Sequence, residues 1–210
     1  MTANSVVFTL DPGSLESYKL FLAAKSLPRY KITGRQLEVP AEYAKLLGVE
    51  VSTPIPSKFK PSACLFDYQR DISCMAVRKR KFAVFAQCGL GKTLIFLEFA
   101  RYCLDVLPRN KSVLIVSPLM VIQQTLKEVG TFYRKNNLPI EYVPASKLGE
   151  WLTNPRTRIG ITNYEAIREG LSPGRLVALI LDESSYLKSH YGAWGTRLIE
   201  LGRGLDYKLC

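Results

Sequence analysis

A glycine-rich segment between a short apolar run and a helical pattern most constrains the fold of this chain. The segment AQCGLGKT (86–93) follows the apolar run 82–85, and apolar residues recur at helical spacing over 93–103. Gly89 and Gly91 allow backbone conformations that other residues resist, so several N–H groups can point at one anion. The pattern predicts a strand, a phosphate-binding turn and a helix, in that order.

Two polar residues at the end of this segment have the types that phosphate chemistry needs. Lys92 is predicted to reach the β- and γ-phosphates of a nucleotide, and the Thr93 hydroxyl to ligate Mg²⁺. The general phosphate-loop pattern has glycine at position 86, where this chain has Ala86. A strand, turn and helix with chance glycines is the alternative that a second motif has to exclude.

Composition narrows the class of protein. The 210 residues are 47% hydrophobic, enough for one globular domain with a small appendage. No apolar stretch approaches the roughly 18 residues that a membrane span needs, and the first residues lack the pattern of a secretory signal, so we expect a cytoplasmic or nucleic-acid-associated protein. The five cysteines show no paired short spacing, which argues against disulfides and zinc. The net charge of +11 favours a polyanionic partner, although solubility alone could explain it.

The chain is predicted to contain two domains. Residues 1–50 read as a small α+β unit with three short strands and two helices. Residues 51–62 hold three prolines and no periodicity, and they are the predicted linker. The basic run RKRK (78–81) is interpreted as a solvated helix end, where cations favour the helix dipole.

From residue 63 to 210, strand and helix patterns alternate, which indicates a parallel sheet with helices on both faces. The predicted strands are 82–86, 112–118, 140–144, 158–162 and 176–182, and the sequence from 205 opens another. The predicted helices are 68–79, 93–105, 121–136, 146–154, 163–170 and a segment near 191–202.

The segment LVALILDESSYLK (176–188) is the second motif, an apolar run that ends in two carboxylates. In a phosphate-loop enzyme Asp182 would hold Mg²⁺ through water and Glu183 would polarise the attacking water. A helix N-terminus lined by acids is the alternative. Open α/β sheets bind ligands beyond the carboxyl ends of their strands, so the two motifs are expected to face one site. Lys92, Asp182 and Glu183 are the predicted catalytic residues, with Thr93 and Asp182 on the metal.

Four segments, AQCGLGKT, VLIVSPLMVIQQT, ITNYE and LDESSYLKS, together resemble the first motor lobe of superfamily 2 helicases. The Swi/Snf-type DNA translocases have the nearest pattern, and the order matches from about residue 65 to the end of the chain. The resemblance implies a RecA-like fold, the cofactors ATP and Mg²⁺, and ATP hydrolysis coupled to movement along nucleic acid, DNA more than RNA. It also implies a second RecA-like lobe, in this polypeptide or in another, without which one lobe is expected to be poorly active.

The resemblance assigns further residues. Gln69 resembles the residue that reads the adenine edge, with Phe66 or Tyr68 near the base, and an ordinary solvated helix residue is the alternative for Gln69. The implied nucleotide-binding residues are Gln69, Ala86, Gly89, Leu90, Gly91, Lys92 and Thr93. The implied nucleic-acid contacts are Ser117, Pro118, Gln123, Thr162 and Asn163, with plain strand-to-helix turns as the alternative.

The sequence therefore predicts the ATP-binding lobe of an ATP-dependent DNA helicase or translocase. One alternative is a nucleotide-dependent nucleic-acid-binding module without turnover. Another is a small-metabolite kinase, for which no segment resembling a substrate lid is found.

Overall fold

The computed structural model describes residues 5–49, 59–87, 89–134, 138–187 and 192–210. The chain divides into two units, Met1–Pro54 and Ile55–Cys210. Most of the predicted linker, residues 51–58, lies outside the described residues. Among the described residues, no helix has the length and apolar character needed to cross a membrane.

The smaller unit is an antiparallel sheet of three strands in the order β1–β3–β2. Its α1 helix begins after Ser14, whose hydroxyl accepts a hydrogen bond from the Ser17 N–H (3.3 Å). Leu37 and Val39 of β3 pack with Ala24 and Leu27 to form its core. The elements are β1 Ser5–Thr9, α1 Leu15–Lys25, β2 Lys31–Thr33, β3 Gln36–Pro40 and α2 Ala41–Ala44, followed by a 3-10 turn, Lys45–Leu47. The predicted α+β character of this unit is confirmed.

The larger unit contains a six-stranded parallel sheet in the order β4–β9–β8–β5–β7–β6. Its strands are β4 Lys81–Phe82, β5 Ser112–Val116, β6 Ile140–Tyr142, β7 Ile159–Thr162, β8 Leu176–Leu181 and β9 Tyr207–Leu209. Its helices are α3 Asp67–Lys79, α4 Lys92–Val106, α5 Leu119–Phe132, α6 Leu148–Thr153 and α7 Ala193–Leu201.

Helices cover both faces of this sheet. On β5, Val113 and Ile115 pack with α3, α4 and α5, whereas Leu114 and Val116 pack with α6 and α7. Every residue of β5 is buried, which is why this strand reads as an unbroken apolar run. The predicted α/β fold, RecA-like with helices on both faces, is confirmed.

The structure differs most from the sequence-based prediction at two segments, and α5 also ends at Phe132, before its predicted end. The strand predicted over 82–86 is only Lys81–Phe82, because the two-residue ladder with β9 ends there and the chain continues into the glycine loop. The helix predicted over 163–170 is wrong: a 3-10 turn, Tyr164–Ala166, is followed by extended backbone at Ile167. Tyr164 and Ile167 are both fully buried, so core packing overrides the helical pattern.

The last residues of the predicted linker pack within the larger unit. Phe59 is buried, and both the N–H and the hydroxyl of Ser62 donate to the Glu98 carboxylate of α4. This segment is therefore held against the same helix that starts at the glycine loop.

Candidate nucleotide-binding site

The glycine loop leads directly into the N-terminus of α4. Gly91 is the N-cap in a left-handed conformation (φ 64°, ψ 42°), and Gly89 also has a positive φ of 84°. A Cβ atom at Gly91 would collide with the side-chain amide of Gln69. Glycine at position 91 is thus required both by backbone conformation and by close packing. A glycine cap has no side chain to accept the first N–H groups of the helix. The Leu94 N–H donates to the Gly91 carbonyl oxygen (3.1 Å), and the N–H groups of Lys92 and Thr93 can point at an anion.

Lys92, the first residue of α4, connects the two sequence motifs. Its ammonium donates to the Ala86 carbonyl oxygen (3.1 Å) and lies 3.6 Å from the Oε1 atom of Glu183. The structure therefore brings the glycine loop and the acidic strand end together, as the sequence predicts. The ammonium also lies where a nearby phosphate chain would be neutralised.

The carboxyl end of β8 positions the two acids. Asp182 is buried, and its Oδ2 atom accepts a hydrogen bond from the Ser117 hydroxyl (2.9 Å) at the end of β5. The Tyr164 hydroxyl donates to the Asp182 carbonyl oxygen (2.6 Å). Glu183 has a positive φ of 50°, which is strained for a residue with a side chain by roughly 1–2 kcal/mol. Strain of this kind is concentrated at functional sites, since it fixes a side chain in a direction that relaxed backbone would not give.

The environment of Asp182 favours a bound cation. Burial raises the pKa of the Asp182 carboxyl, and the negative charge of Glu183 raises it further. The hydrogen bond from Ser117 and the charge of Lys92 lower this pKa. A cation would stabilise the carboxylate that burial disfavours.

The oxygen atoms at this site fit Mg²⁺. Asp182 supplies a carboxylate, and the hydroxyl of Thr93 makes no hydrogen bond to any described residue, so it remains available as a ligand. The described residues contain no cluster of three or more His, Cys, Asp or Glu side chains. A cavity of about 320 Å³ is lined by Phe85, Ala86, Lys92, Glu183 and Ser184, among others.

Gln69 lies on α3 beside the loop, but it faces inwards. It is only 1% exposed, so the alternative of a solvated helix residue is wrong. Its Oε1 atom accepts from the Phe66 N–H (3.0 Å), and its Nε2 atom donates to the Leu90 carbonyl (3.2 Å). Gln69 thus braces the loop, and its contact with adenine stays a prediction.

Two aromatic rings lie next to this brace. Phe66 and Tyr68 are stacked, with ring centroids 5.9 Å apart and an interplanar angle of 11°. Both rings are exposed, and the Tyr68 hydroxyl donates to the Leu90 carbonyl (3.1 Å). The pair offers an apolar surface for a base at the edge of the loop.

Two of the residues assigned to nucleic acid have buried side chains, and their contact with nucleic acid stays a prediction. Ser117 and Thr162 are fully buried. Their hydroxyls donate to Asp182 and to the Val143 carbonyl (2.7 Å), so neither side chain is available to a phosphate. Pro118 is buried as the N-cap of α5.

Gln123 and Asn163 are the remaining residues of this set. Gln123 is exposed on the second turn of α5. Asn163 is half-buried, and its amide donates to the Glu165 carboxylate (2.6 Å). Their contact with nucleic acid stays a prediction.

Sequence reasoning missed the two residues that hold Asp182. Ser117 was assigned to nucleic acid, and Tyr164 was placed in a helix without a role. A small polar residue at the end of the apolar run 112–116 was a usable signal, but only the strand order shows that β5 and β8 are neighbours.

A larger cavity, of about 460 Å³, lies between α7 and the strands β4, β8 and β9. Its lining is mostly apolar, with Leu179, Leu181 and Leu198 among its residues. It contains neither Lys92 nor Glu183 and is not part of the predicted nucleotide site.

A comparison of the chain with models of protein families shows the family to which it belongs. The model described as type III restriction enzyme, res subunit, matches residues 58–192, more than half of the chain. The chain belongs to this family. The matched range includes the glycine loop, both acids and the strands that position them. A comparison with curated proteins finds no match.

Solved structures support the same fold. One matching structure is the SWI2/SNF2 ATPase core of Sulfolobus solfataricus in complex with dsDNA. It is 17% identical to this chain, with a TM-score of 0.56, and the match covers 74% of this chain and 33% of that chain. Another is the UvsW helicase of bacteriophage T4, with a TM-score of 0.52, 13% identity, and coverage of 80% of this chain and 57% of that chain. At these identities the likeness concerns the fold.

Together the family and the fold identify the larger unit as a helicase-type motor lobe, and the resemblance to the first lobe of superfamily 2 helicases is confirmed. The chain spans a third of the length of one of these structures and 57% of the other.

Proposed function

We propose that the larger unit binds ATP and Mg²⁺ between the glycine loop and the end of β8, and hydrolyses ATP to drive movement along nucleic acid. The observation that carries the proposal is the 3.6 Å approach of the Lys92 ammonium to the Glu183 carboxylate. This approach places a cation, a strained carboxylate and the open N-terminus of α4 around one cavity. These are the parts that phosphoryl transfer to water needs.

Each residue has a distinct role in this proposal. The first N–H groups of α4 and the Lys92 ammonium hold the phosphates and neutralise their charge. Thr93 and Asp182 hold Mg²⁺, which supplies further positive charge to the phosphate oxygens. Glu183 orients the attacking water and accepts its proton. Phe66 and Tyr68 contact the base.

The partner of the motor is proposed to be nucleic acid, and the Swi/Snf-type pattern of the motifs favours DNA over RNA. The net charge of +11 supports a polyanion. Gln123, Asn163 and the N-terminus of α5 would contact the sugar-phosphate backbone, which favours binding with little sequence preference. A cytoplasmic or nucleic-acid-associated location follows from this partner.

A second RecA-like lobe, in the same polypeptide or in another, belongs to the proposal. An arginine from a second lobe contributes on the order of a thousandfold to phosphoryl transfer. We therefore expect this chain alone to bind ATP weakly, to turn it over more slowly than about once per second, and not to separate strands.

A steady-state ATPase assay with and without DNA tests the proposal. We expect slow turnover that rises when single-stranded or duplex DNA is added and that disappears in Lys92→Ala. A binding module without turnover would bind both ligands and release no phosphate. Phosphate release that is equal in wild type and Lys92→Ala would contradict the site.

A further inference from the structure

Gln69, which lies on α3 beside the glycine loop, uses both ends of its amide within the chain. Its Oε1 atom accepts a hydrogen bond from the Phe66 N–H (3.0 Å). Its Nε2 atom donates to the carbonyl oxygens of Leu90 (3.2 Å) and Gly91 (3.4 Å). The amide also packs so closely on Gly91 that a Cβ atom there would collide with it. The side chain is 1% exposed, so the amide is closed to solvent.

An amide that reads adenine has to use the same groups. A glutamine pairs with adenine by donating an N–H to a ring nitrogen and accepting from the exocyclic amino group. In this chain the Nε2 donor faces two loop carbonyls, and the Oε1 acceptor faces the backbone N–H of Phe66. Turning the amide towards a base would break these three hydrogen bonds. The hydrogen bonds of Gln69 therefore hold the loop.

These hydrogen bonds set the direction of the backbone donors at the start of α4. The Leu90 carbonyl also accepts from the Tyr68 hydroxyl (3.1 Å), so two side chains of α3 hold it. The carbonyl and the N–H of one trans peptide point in opposite directions. Holding the Leu90 and Gly91 carbonyls towards α3 therefore points the N–H groups of Gly91 and Lys92 away from α3. Through the loop, Gln69 fixes donors that a phosphate needs.

The surface beside this brace is a pair of aromatic rings. Phe66 and Tyr68 are 67% and 41% exposed, and their rings are stacked. The Tyr68 hydroxyl is bonded to the Leu90 carbonyl, which fixes its ring beside the loop. Stacking on an aromatic face tolerates every base, because every base has a π-face. A ring surface of this kind binds a base without reading its edge.

We propose that Gln69 is a positioning residue for the phosphate loop, and that the site accepts nucleoside triphosphates irrespective of their base. This role depends on the proposed function, in which the loop holds the phosphates and the ring pair contacts the base. Affinity then comes from the triphosphate, from Mg²⁺ and from stacking, which ATP, GTP, CTP and UTP have in common. A hydrogen bond from Gln69 to adenine, as expected from the sequence, is the alternative.

Displacement of a ribose-labelled fluorescent ATP measures these affinities without relying on turnover. The competitors are the Mg²⁺ complexes of ATP, GTP, CTP, UTP and inorganic tripolyphosphate, which has the phosphates and no base. For the wild type we expect the four nucleotides to bind within about tenfold of one another, with differences set by stacking strength. An amide that reads adenine would favour ATP by about a hundredfold or more. A preference for ATP over GTP of more than about tenfold would overturn the proposal.

Two variants separate the role of Gln69 from that of the rings. Gln69→Met keeps an unbranched side chain and removes the hydrogen bonds to the loop. We expect it to weaken ATP, GTP and tripolyphosphate by the same factor, about tenfold, because the loop loses two hydrogen bonds. Phe66→Ala is the matched control, and it should weaken ATP and GTP and leave tripolyphosphate unchanged. A loss in Gln69→Met that is confined to ATP would show that the amide reads adenine, and the proposal would fail.

The affinity for tripolyphosphate also separates positioning from a purely structural role. A structural role would lower the melting temperature of Gln69→Met and leave tripolyphosphate binding by the folded protein unchanged, which would contradict the proposal.

A second variant covers the case in which Gln69→Met does not fold. Tyr68→Phe keeps the ring and removes one hydrogen bond to the Leu90 carbonyl, so it should weaken tripolyphosphate by about threefold. Unchanged binding in Tyr68→Phe would count against the brace. The comparison of the four nucleotides needs no variant. If labelled ATP does not bind to the wild type, the proposed function itself is wrong, and this outcome differs from a strong preference for ATP.

Discussion

The two ends of helix α4 are built in opposite ways. At its C-terminus the guanidinium of Arg158 donates to four carbonyl oxygens at 3.0–3.1 Å, so the end of the helix is satisfied within the chain. At its N-terminus the cap is Gly91, which has no side chain, and the nearest strong cation, Lys92, lies beside Glu183. The C-terminal end of α4 is satisfied without a ligand. The N-terminal end has N–H groups and a cation that can contact a bound ligand.

The middle of α4, like its C-terminal end, is satisfied by hydrogen bonds within the chain. Glu98 is fully buried, and it accepts hydrogen bonds from Arg101 (2.8 Å), Tyr133 (2.8 Å) and Ser62 (2.5 Å). Substitutions in this part should therefore reduce stability and leave ligand binding intact. Substitutions near Gly91 should reduce ligand binding and leave stability intact. The following predictions test that division, in order of expected effect.

Glu183→Gln should give the largest change. We expect the ATPase rate to fall about a thousandfold, because the amide cannot accept a proton from water. Nucleotide affinity should be retained or rise slightly, since Lys92 no longer faces a carboxylate. Single-turnover phosphate release and nucleotide titration measure the two quantities. A parallel loss of affinity would place Glu183 in binding instead of chemistry.

Glu98→Gln should destabilise the larger unit by about 3 kcal/mol, because it leaves the Arg101 guanidinium without its buried partner. Burial by itself would raise the pKa of the Glu98 carboxyl. The hydrogen bonds from Arg101, Ser62 and Tyr133 outweigh burial and hold this pKa below its ordinary value.

The sign of the pH dependence follows from this lowered pKa. The stability from Glu98 is present above the ordinary carboxyl pKa and is lost as the pH falls through the lowered one. Urea unfolding should therefore show a difference between wild type and Glu98→Gln that shrinks in acid. A difference that grows in acid would contradict the assignment.

Arg158→Ala should destabilise the chain by about 2 kcal/mol, since it leaves several carbonyl groups at the end of α4 unsatisfied. Arg158→Lys keeps the charge but not the planar fork, and it should recover only part of the loss. Chemical denaturation measures both variants. Full recovery by lysine would mean that charge, and not hydrogen bonding, completes this end.

Ser117→Ala should have the smallest effect of the four. It removes the hydrogen bond that orients Asp182, so the apparent affinity for Mg²⁺ during nucleotide binding should fall about three- to tenfold. Ser112→Ala is the matched control, because Ser112 is buried at the other end of β5 and its hydroxyl has no partner among the described residues. Equal effects in the two variants would remove Ser117 from the site.

The sequence predicts the local features of this molecule better than its long-range contacts. The apolar runs at β5 and β8 and the loop that precedes α4 are determined by neighbouring residues, and their positions are correct. The placement of β9 between β4 and β8 depends on contacts distant in sequence, as does the hydrogen bond from Ser117 to Asp182.

Three features that the sequence does not predict share this physical cause. Gln69 is buried, the Thr162 hydroxyl is bonded within the chain, and residues 163–170 do not form the predicted helix. In each case the side chain is drawn into the core by a partner on another element: the Leu90 carbonyl for Gln69, the Val143 carbonyl for Thr162, and the Asp182 carbonyl for Tyr164. Periodicity and spacing do not contain that information.

The thermal shift caused by MgATP tests the central claim most directly, because it reports stability and ligand binding in one experiment. With ATP at about ten times the Kd, we expect the Tm of the wild type to rise by about 3–5 °C. Arg158→Ala should start from a lower Tm and show the same rise, whereas Lys92→Ala should start near the wild-type Tm and show no rise. Two results would contradict the claim that the glycine-capped end of α4 is the nucleotide site. One is an undiminished shift in Lys92→Ala, and the other is the loss of the shift in an Arg158→Ala protein that is fully folded before heating.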